Sequence, residues 1–222
     1  MSDALAPEVA VQIEALPLTG HSHLLICDAD EVLVRFGVGM EAFLDEQGLY
    51  YDWTAFHFEG TIRRQSDDVP VPNYEVAEIR ERFLAERIVN LPAVEGASDV
   101  LKRLSSHTEI VILTNIPHEA REARIAGLRK LGMDYPVVTN VGGKGHAVRD
   151  LALRVDGSTA FVDDLPEHHE SVALHARDVR RIQFIEDPRL EKLVGPATHS
   201  HIRTTTWSEN ERHLRALFGI GP

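Results

Sequence analysis

Residues 24–32 read LLICDADEV: Leu24, Leu25, Ile26 and Cys27 run without a break into Asp28, Ala29, Asp30, Glu31 and Val32. A short unbroken apolar run fits a strand buried on both faces, and this one stops at two carboxylates one residue apart. An ionised carboxylate at the edge of a core loses hydration, and a second one nearby adds repulsion. The pair therefore requires protons, cations or strong hydrogen-bond donors. The rest of the chain has to supply them.

Four further β-rich runs end in polar residues: TEIVIL at 108–113, PVV at 136–138, TAFV at 159–162 and RRIQFI at 180–185. Helical patterns lie between most of them. Between the second and third strands, Ala120, Ala123, Leu128 and Leu131 form a rough apolar face that Gly132 is placed to end. Strand, helix, strand at this spacing predicts an α/β chain, a Rossmann-like parallel sheet with helices on both faces. Such sheets bind ligands at the carboxyl ends of their strands, where Asp28 and Asp30 stand.

The interval 36–91 breaks the rhythm. Met40, Phe43 and Leu44 fit a helix ended by Gly48; an aromatic stretch, LYYDWTAFHF, and a polar segment, EGTIRRQSDDVPVPN, follow. Val76, Ile79, Phe83 and Ile88 then share a second helical face. With no core strand legible there, the expected organisation is a core of 1–35 and 92–222 carrying a small, mainly helical cap at 36–91. Ser208 and Glu211 form an expected capping box for a closing helix with Leu214, Leu217 and Phe218.

A length of 222 residues suffices for one such core with an insertion, and the formal net charge of -12 argues against a nucleic-acid partner, which Lys and Arg would have to bind. The single cysteine, Cys27, rules out an internal disulfide and fits a reducing compartment, so a cytoplasmic location is expected. The N-terminal twenty residues read as a loose or docked arm without the basic and apolar segments of a secretory signal. No apolar run approaches the roughly 18 residues of a membrane helix, so no membrane partner is expected. The histidine pairs His21/His23, His168/His169 and His199/His201 read as exposed or structural rather than zinc-binding, and Cys27 as an inert core thiol. Nothing indicates an oligomeric state.

Three more polar clusters adjoin predicted strand ends. Thr114-Asn115 offers a hydroxyl and backbone N–H groups; VGGKG at 141–145 presents Lys144 between glycines; Asp163-Asp164 follows TAFV. The glycine–lysine segment is no P-loop, since neither the upstream glycine spacing nor a following Ser or Thr is there. Gathered at one sheet edge, four carboxylates, one ammonium and one hydroxyl call for a hard divalent cation with oxygen ligands, Mg²⁺ above all.

In this order and context, Asp28-Ala29-Asp30-Glu31-Val32, Thr114, Lys144 and Asp163-Asp164 resemble the four motifs of the haloacid dehalogenase-like (HAD) hydrolase superfamily, over about residues 24–166. The resemblance implies that Asp28 attacks phosphorus to form an aspartyl-phosphate and that Asp30 protonates the leaving oxygen and later activates water. It further implies that Thr114, Asn115 and Lys144 hold the phosphoryl oxygens, and that Mg²⁺ is held by Asp28, the Asp30 carbonyl, Asp163 and Asp164, with Asp164 favoured as direct ligand. An Asp at position 30 favours phosphoryl transfer over dehalogenation, because a halide leaves without a proton and an alkoxide does not.

The motif departs from its commonest form at Glu31 and Val32, where many members carry Gly and Thr. Glu31 is left between narrowing the entrance and facing solvent. The expected function is Mg²⁺-dependent hydrolysis of a small phosphorylated metabolite. The alternatives are a phosphomutase and a non-catalytic phospholigand-binding protein. A phosphorelay receiver would place the acidic pair first, not last. Arg63 and Arg64 in the insertion are open candidates to reach a substrate anion.

Overall fold

The computed structural model describes residues 5–55 and 57–221. The first four residues of the N-terminal arm, and Phe56 of the aromatic stretch, lie outside the described residues. Of the arm, α1 (Pro7–Glu14) is a docked helix. The core then runs β1 (Leu24–Cys27), a segment containing α2 (Phe36–Asp45), β2 (Leu49–Tyr51), β3 (Ile62–Arg64) and α3 (Asn73–Arg87), and then α4 (Ala97–Leu104) and β4 (Glu109–Thr114). It continues with α5 (Arg121–Lys130), β5 (Val137–Thr139), α6 (Gly145–Ala152), β6 (Thr159–Asp163), α7 (Pro166–His175), β7 (Arg180–Phe184), α8 (Pro188–Leu193), β8 (Ile202–Thr204) and α9 (Trp207–Phe218).

Six strands form one parallel sheet in the order β5-β4-β1-β6-β7-β8. All four residues of β1 are buried because side chains alternate across a sheet covered on both sides. Leu24 and Ile26 join Val9 and Ile13 of α1, Val148 and Leu151 of α6 and Val172 of α7. Leu25 and Cys27 join Leu101 of α4, Leu128 of α5 and Leu214 of α9 on the other face. The expected Rossmann-like α/β fold is borne out.

The differences are local. The segment 36–91 is not helical alone: β2 and β3 pair antiparallel, Tyr50 opposite Arg63, inside the stretch read as aromatic and polar loop. Three-residue strands are too short to print a period of two. The same shortness hid β8. The closing helix begins two residues earlier than expected, and its capping box is Thr206 with Glu209, not Ser208 with Glu211. Burial of Trp207 sets that start: its Nε1–H donates to the Val32 carbonyl at 2.8 Å, tying α9 to the turn after β1. Glu211 instead binds Arg103 of α4 and Arg215.

Among the described residues, no helix is long and apolar enough to cross a membrane.

Candidate active site

The sheet register brings the strand-end residues to one level. Cys27 lies beside Ile112 of β4 and Val162 of β6, so Thr114 and Asp163 close the strands flanking Asp28. Asp28 is fixed by its own backbone N–H, which donates to the Val162 carbonyl at 2.9 Å. Lys144 stands immediately before α6 and is fully buried, its Nζ 2.8 Å from Asp28 Oδ1 and 2.6 Å from Asp163 Oδ2. The glycine after it explains how the lysine gets there. A Cβ on Gly145 would lie 2.1 Å from the Ser171 carbonyl oxygen, so only glycine lets α6 close on α7 and carry Lys144 beneath the strand ends.

Carboxylate oxygens of Asp28, Asp163 and Asp164 lie within 4.8 Å of one another, all three residues buried. Burial, with repulsion from Asp163 and Asp30, pushes the Asp28 carboxyl up to about 7 despite Lys144 beside it. Burial and the charges of Asp163 and Asp28 push Asp164 well above its ordinary range. Asp163 goes the other way: burial opposes ionisation, but the charged Lys144 beside it outweighs burial and holds the carboxyl below its ordinary range. Lys144 likewise stays charged, because Asp163 and Asp28 overcome the desolvation that would lower it. One ammonium among three carboxylates leaves an excess of buried negative charge that a hard divalent cation would relieve. Asp163 has one oxygen on Lys144 and the other accepting from the Leu165 N–H at 3.0 Å. Asp164, whose carboxyl borders the cavity, is the member of the pair with ligand capacity to spare.

Thr114 is fully buried at the end of β4, and its hydroxyl has no hydrogen-bond partner among the described residues. A buried hydroxyl without a partner is costly, so the position fits a donor awaiting a ligand oxygen. The Asn115 side chain is already engaged, donating to the Gly142 carbonyl at 2.8 Å and accepting from Asn140 at 2.9 Å. Asn115 also carries a backbone N–H at this strand end that an anion could use.

Asp30 borders the cavity but turns its carboxylate to Arg124, with which it makes a short ion pair. Sequence reasoning passed over Arg124, although a signal was there. The residue falls at the i+4 position between Ala120 and Leu128 on the face read as apolar, and it is 1% exposed. Its Nε and Nη1 have no hydrogen-bond partner among the described residues.

Glu31 resolves into neither expected role alone. Its backbone sits at φ 58°, a left-handed conformation in which glycine is at home. This is a physical reason for the commoner Gly of the resembled motif. Its Oε1 accepts from the Gly37 N–H at 2.5 Å in the first turn of α2, and its carboxyl, pushed up to about 7 by burial, borders the cavity.

The cavity over these residues has a volume of about 340 Å³. Besides the acids it is lined by Phe36, Tyr51, Trp53 and Phe58 from the 36–91 segment and by Arg80 of α3. Arg63 and Arg64 are absent from this lining; they pair with Asp68 and Glu75 within the segment. A larger, open hollow of about 710 Å³ beside His23 is lined by Arg103, His107 and Arg215 and holds none of the motif residues.

Three of the paired histidines, His23, His169 and His201, pair with backbone groups. His169 pairs through Nε2 with the Asp163 carbonyl, His23 accepts from the Ser158 N–H, and His201 accepts from the Arg181 N–H. His168 is held neutral by burial, its pKa down to about 4. Burial pushes the Cys27 thiol far up, away from reactivity.

No family model matches the sequence, and no curated protein matches it either. Solved structures do match. A HAD family hydrolase from Deinococcus radiodurans R1, with bound phosphate and sodium, superposes with a TM-score of 0.59 at 18% identity, covering 89% of this chain and 96% of that one. Bacillus subtilis YfnB, described as a HAD-hydrolase and bound to magnesium, gives 0.60 at 15% identity over 88% and 99%. A protein described as a β-phosphoglucomutase from Thermotoga maritima gives 0.58 at 14% over 88% and 99%. Six parallel strands in this order, with the acids at their carboxyl ends, and near-complete coverage of each of these chains lead to one conclusion: this chain has the fold of the haloacid dehalogenase-like hydrolases.

Proposed function

We propose that the chain is a HAD-type phosphatase that hydrolyses a small phosphate monoester through an aspartyl-phosphate on Asp28, with residues 36–91 serving as a cap over a core of 1–35 and 92–222. The observation that carries this reading is the buried set of Asp28, Lys144, Asp163 and Asp164 beside the unpartnered Thr114 hydroxyl. The acids leave a place for a cation, and the hydroxyl and ammonium leave places for phosphoryl oxygens. Phosphate in the Deinococcus protein and magnesium in YfnB are in keeping with it.

Asp28 attacks phosphorus, and the bond from phosphorus to the ester oxygen breaks. Asp30 gives that oxygen its proton, then takes one from the water that cleaves the acyl phosphate, releasing inorganic phosphate and restoring Asp28. Thr114, the Asn115 N–H and Lys144 donate to the phosphoryl oxygens, and the Lys144 ammonium offsets the gathering negative charge. The Asp28 carboxylate, the Asp30 carbonyl and the Asp163-Asp164 pair, chiefly Asp164, would hold Mg²⁺. When bound, the ion would supply neutralisation of phosphoryl charge and would favour the ionised Asp28 carboxyl. The cap would exclude water and read the leaving group.

The test is phosphate release from a panel of esters with Mg²⁺, with excess chelator, and with Asp28→Asn. Release that needs Mg²⁺ and is lost in a folded Asp28→Asn protein is expected. Full activity in chelator, or in Asp28→Asn, would remove the mechanism. A phosphomutase, the reading the Thermotoga protein keeps in play, would return the phosphoryl group to an isomeric ester without net phosphate release.

A further inference from the structure

The cavity wall has a chemistry of its own. Tyr51, Trp53 and Phe58 pack edge to face, with Tyr51 4.7 Å from Trp53 and 5.5 Å from Phe58 between ring centroids, and Phe36 stacks on Phe58 at 6.3 Å. Their polar atoms are already used. The Tyr51 hydroxyl donates to the Ala55 carbonyl at 2.6 Å, and Trp53 Nε1–H donates to Glu41 at 2.7 Å. The Arg189 guanidinium covers the Trp53 ring at 4.2 Å and is itself held by Asp187 and Glu41. What this part of the wall offers a ligand is ring surface and hydrocarbon, held in place by its own contacts. Among the other polar lining residues, His57, Glu59 and Arg80 are exposed to solvent, one Glu31 oxygen is spent on Gly37, and His168 Nδ1 is buried without a hydrogen-bond partner among the described residues.

A sugar phosphate brought here would bury hydroxyls against rings that cannot pair with them, which disfavours it. A flat apolar group would instead replace water on both its faces. The volume of about 340 Å³ lies near the lower end of ligand cavities, which suits a phosphoryl group and one ring. Resting on the phosphatase reading above, we propose that the leaving group taken by this site is an aryl or arylalkyl alcohol, its ring seated among Phe36, Tyr51, Trp53 and Phe58.

The experiment measures binding apart from turnover. In full-length Asp28→Asn protein with Mg²⁺, calorimetry compares benzylphosphonate, methylphosphonate and glycerol 1-phosphate. Benzylphosphonate is expected to bind at least tenfold more tightly than either, and Phe58→Ser to bring that ratio down toward one. Equal affinities, or tighter binding of glycerol phosphate, would overturn the inference whatever Phe58→Ser does. Wild-type protein is assayed in parallel for phosphate release from benzyl phosphate and glycerol 1-phosphate. An aryl preference in binding without release from either ester would remove the phosphatase reading and leave the pocket assignment standing. Release from both with a preference for glycerol phosphate would do the reverse.

Discussion

The two acids that interrupt β1 have different supports. Asp28 shares Lys144 with Asp163 in a buried cluster, whereas Asp30 faces a cavity and leans on Arg124, with 26% of its side chain exposed against 1% for the arginine. That asymmetry makes the ion pair testable as energy. Asp30→Ala strands a buried guanidinium and is expected to destabilise the fold by about 2–4 kcal/mol, while Arg124→Met leaves a carboxylate that water can reach and costs less. The double variant should recover part of the loss, with a coupling of about 1–3 kcal/mol in urea unfolding. Additive losses would mean that the pair carries no stability. Glu31 adds a second case at this scale. Its left-handed backbone is held by the bond to Gly37, a strain that one carboxylate contact and the surrounding turn sustain.

Among the elements, the junction of α6 and α7 decides where the ammonium goes. Gly145→Ala would force its methyl against the Ser171 backbone and drive the helices apart. A destabilisation of about 1–3 kcal/mol is expected from overpacking, with a larger relative fall in activity as Lys144 shifts from Asp28. Thermal unfolding read beside initial rates separates the two, and unchanged rates would detach Lys144 from catalysis. The α4–α9 junction gives a pH signature. Arg103, and then Arg215, lower the Glu211 carboxyl to about 2 from an ordinary value near 4.5. A group lowered in the folded state contributes stability that is fully present above the unfolded value and is lost as pH falls through the folded one. Glu211→Gln should therefore flatten the loss of stability between about pH 5 and pH 2, by about 1 kcal/mol once the exposure of Arg103 is allowed for. An unchanged acid limb of the stability curve would contradict the pairing.

Across the whole molecule, the site is assembled from the ends of four strands, β1, β4, β5 and β6, that meet only when the sheet is complete, so a bound cation should report on the fold. A ligand that binds the native state alone stabilises it by about 2.7 kcal/mol at a hundredfold excess over its Kd. Mg²⁺ is expected to raise the melting temperature by several degrees, and Asp164→Asn to abolish most of that rise. A full rise in Asp164→Asn would place the cation elsewhere.

Much of this was legible in the sequence because it rests on short-range patterns. The buried run Leu24–Cys27, the strand ends at Thr114 and Asp163 and the helical faces between them print the parallel α/β architecture directly, since burial on two faces demands unbroken apolar strands. The types of the motif residues likewise limit their chemistry wherever the fold gathers them. Other features came from contacts distant in sequence: Arg124 reaching Asp30 across 94 positions, Trp207 holding Val32 across 175, and a hairpin of three-residue strands whose aromatic residues line the cavity. Local sequence carries no record of which distant partner a buried arginine finds or which way a ring faces. Only tertiary packing decided which polar atoms are paired and that the Thr114 hydroxyl, among the described residues, is left without a partner.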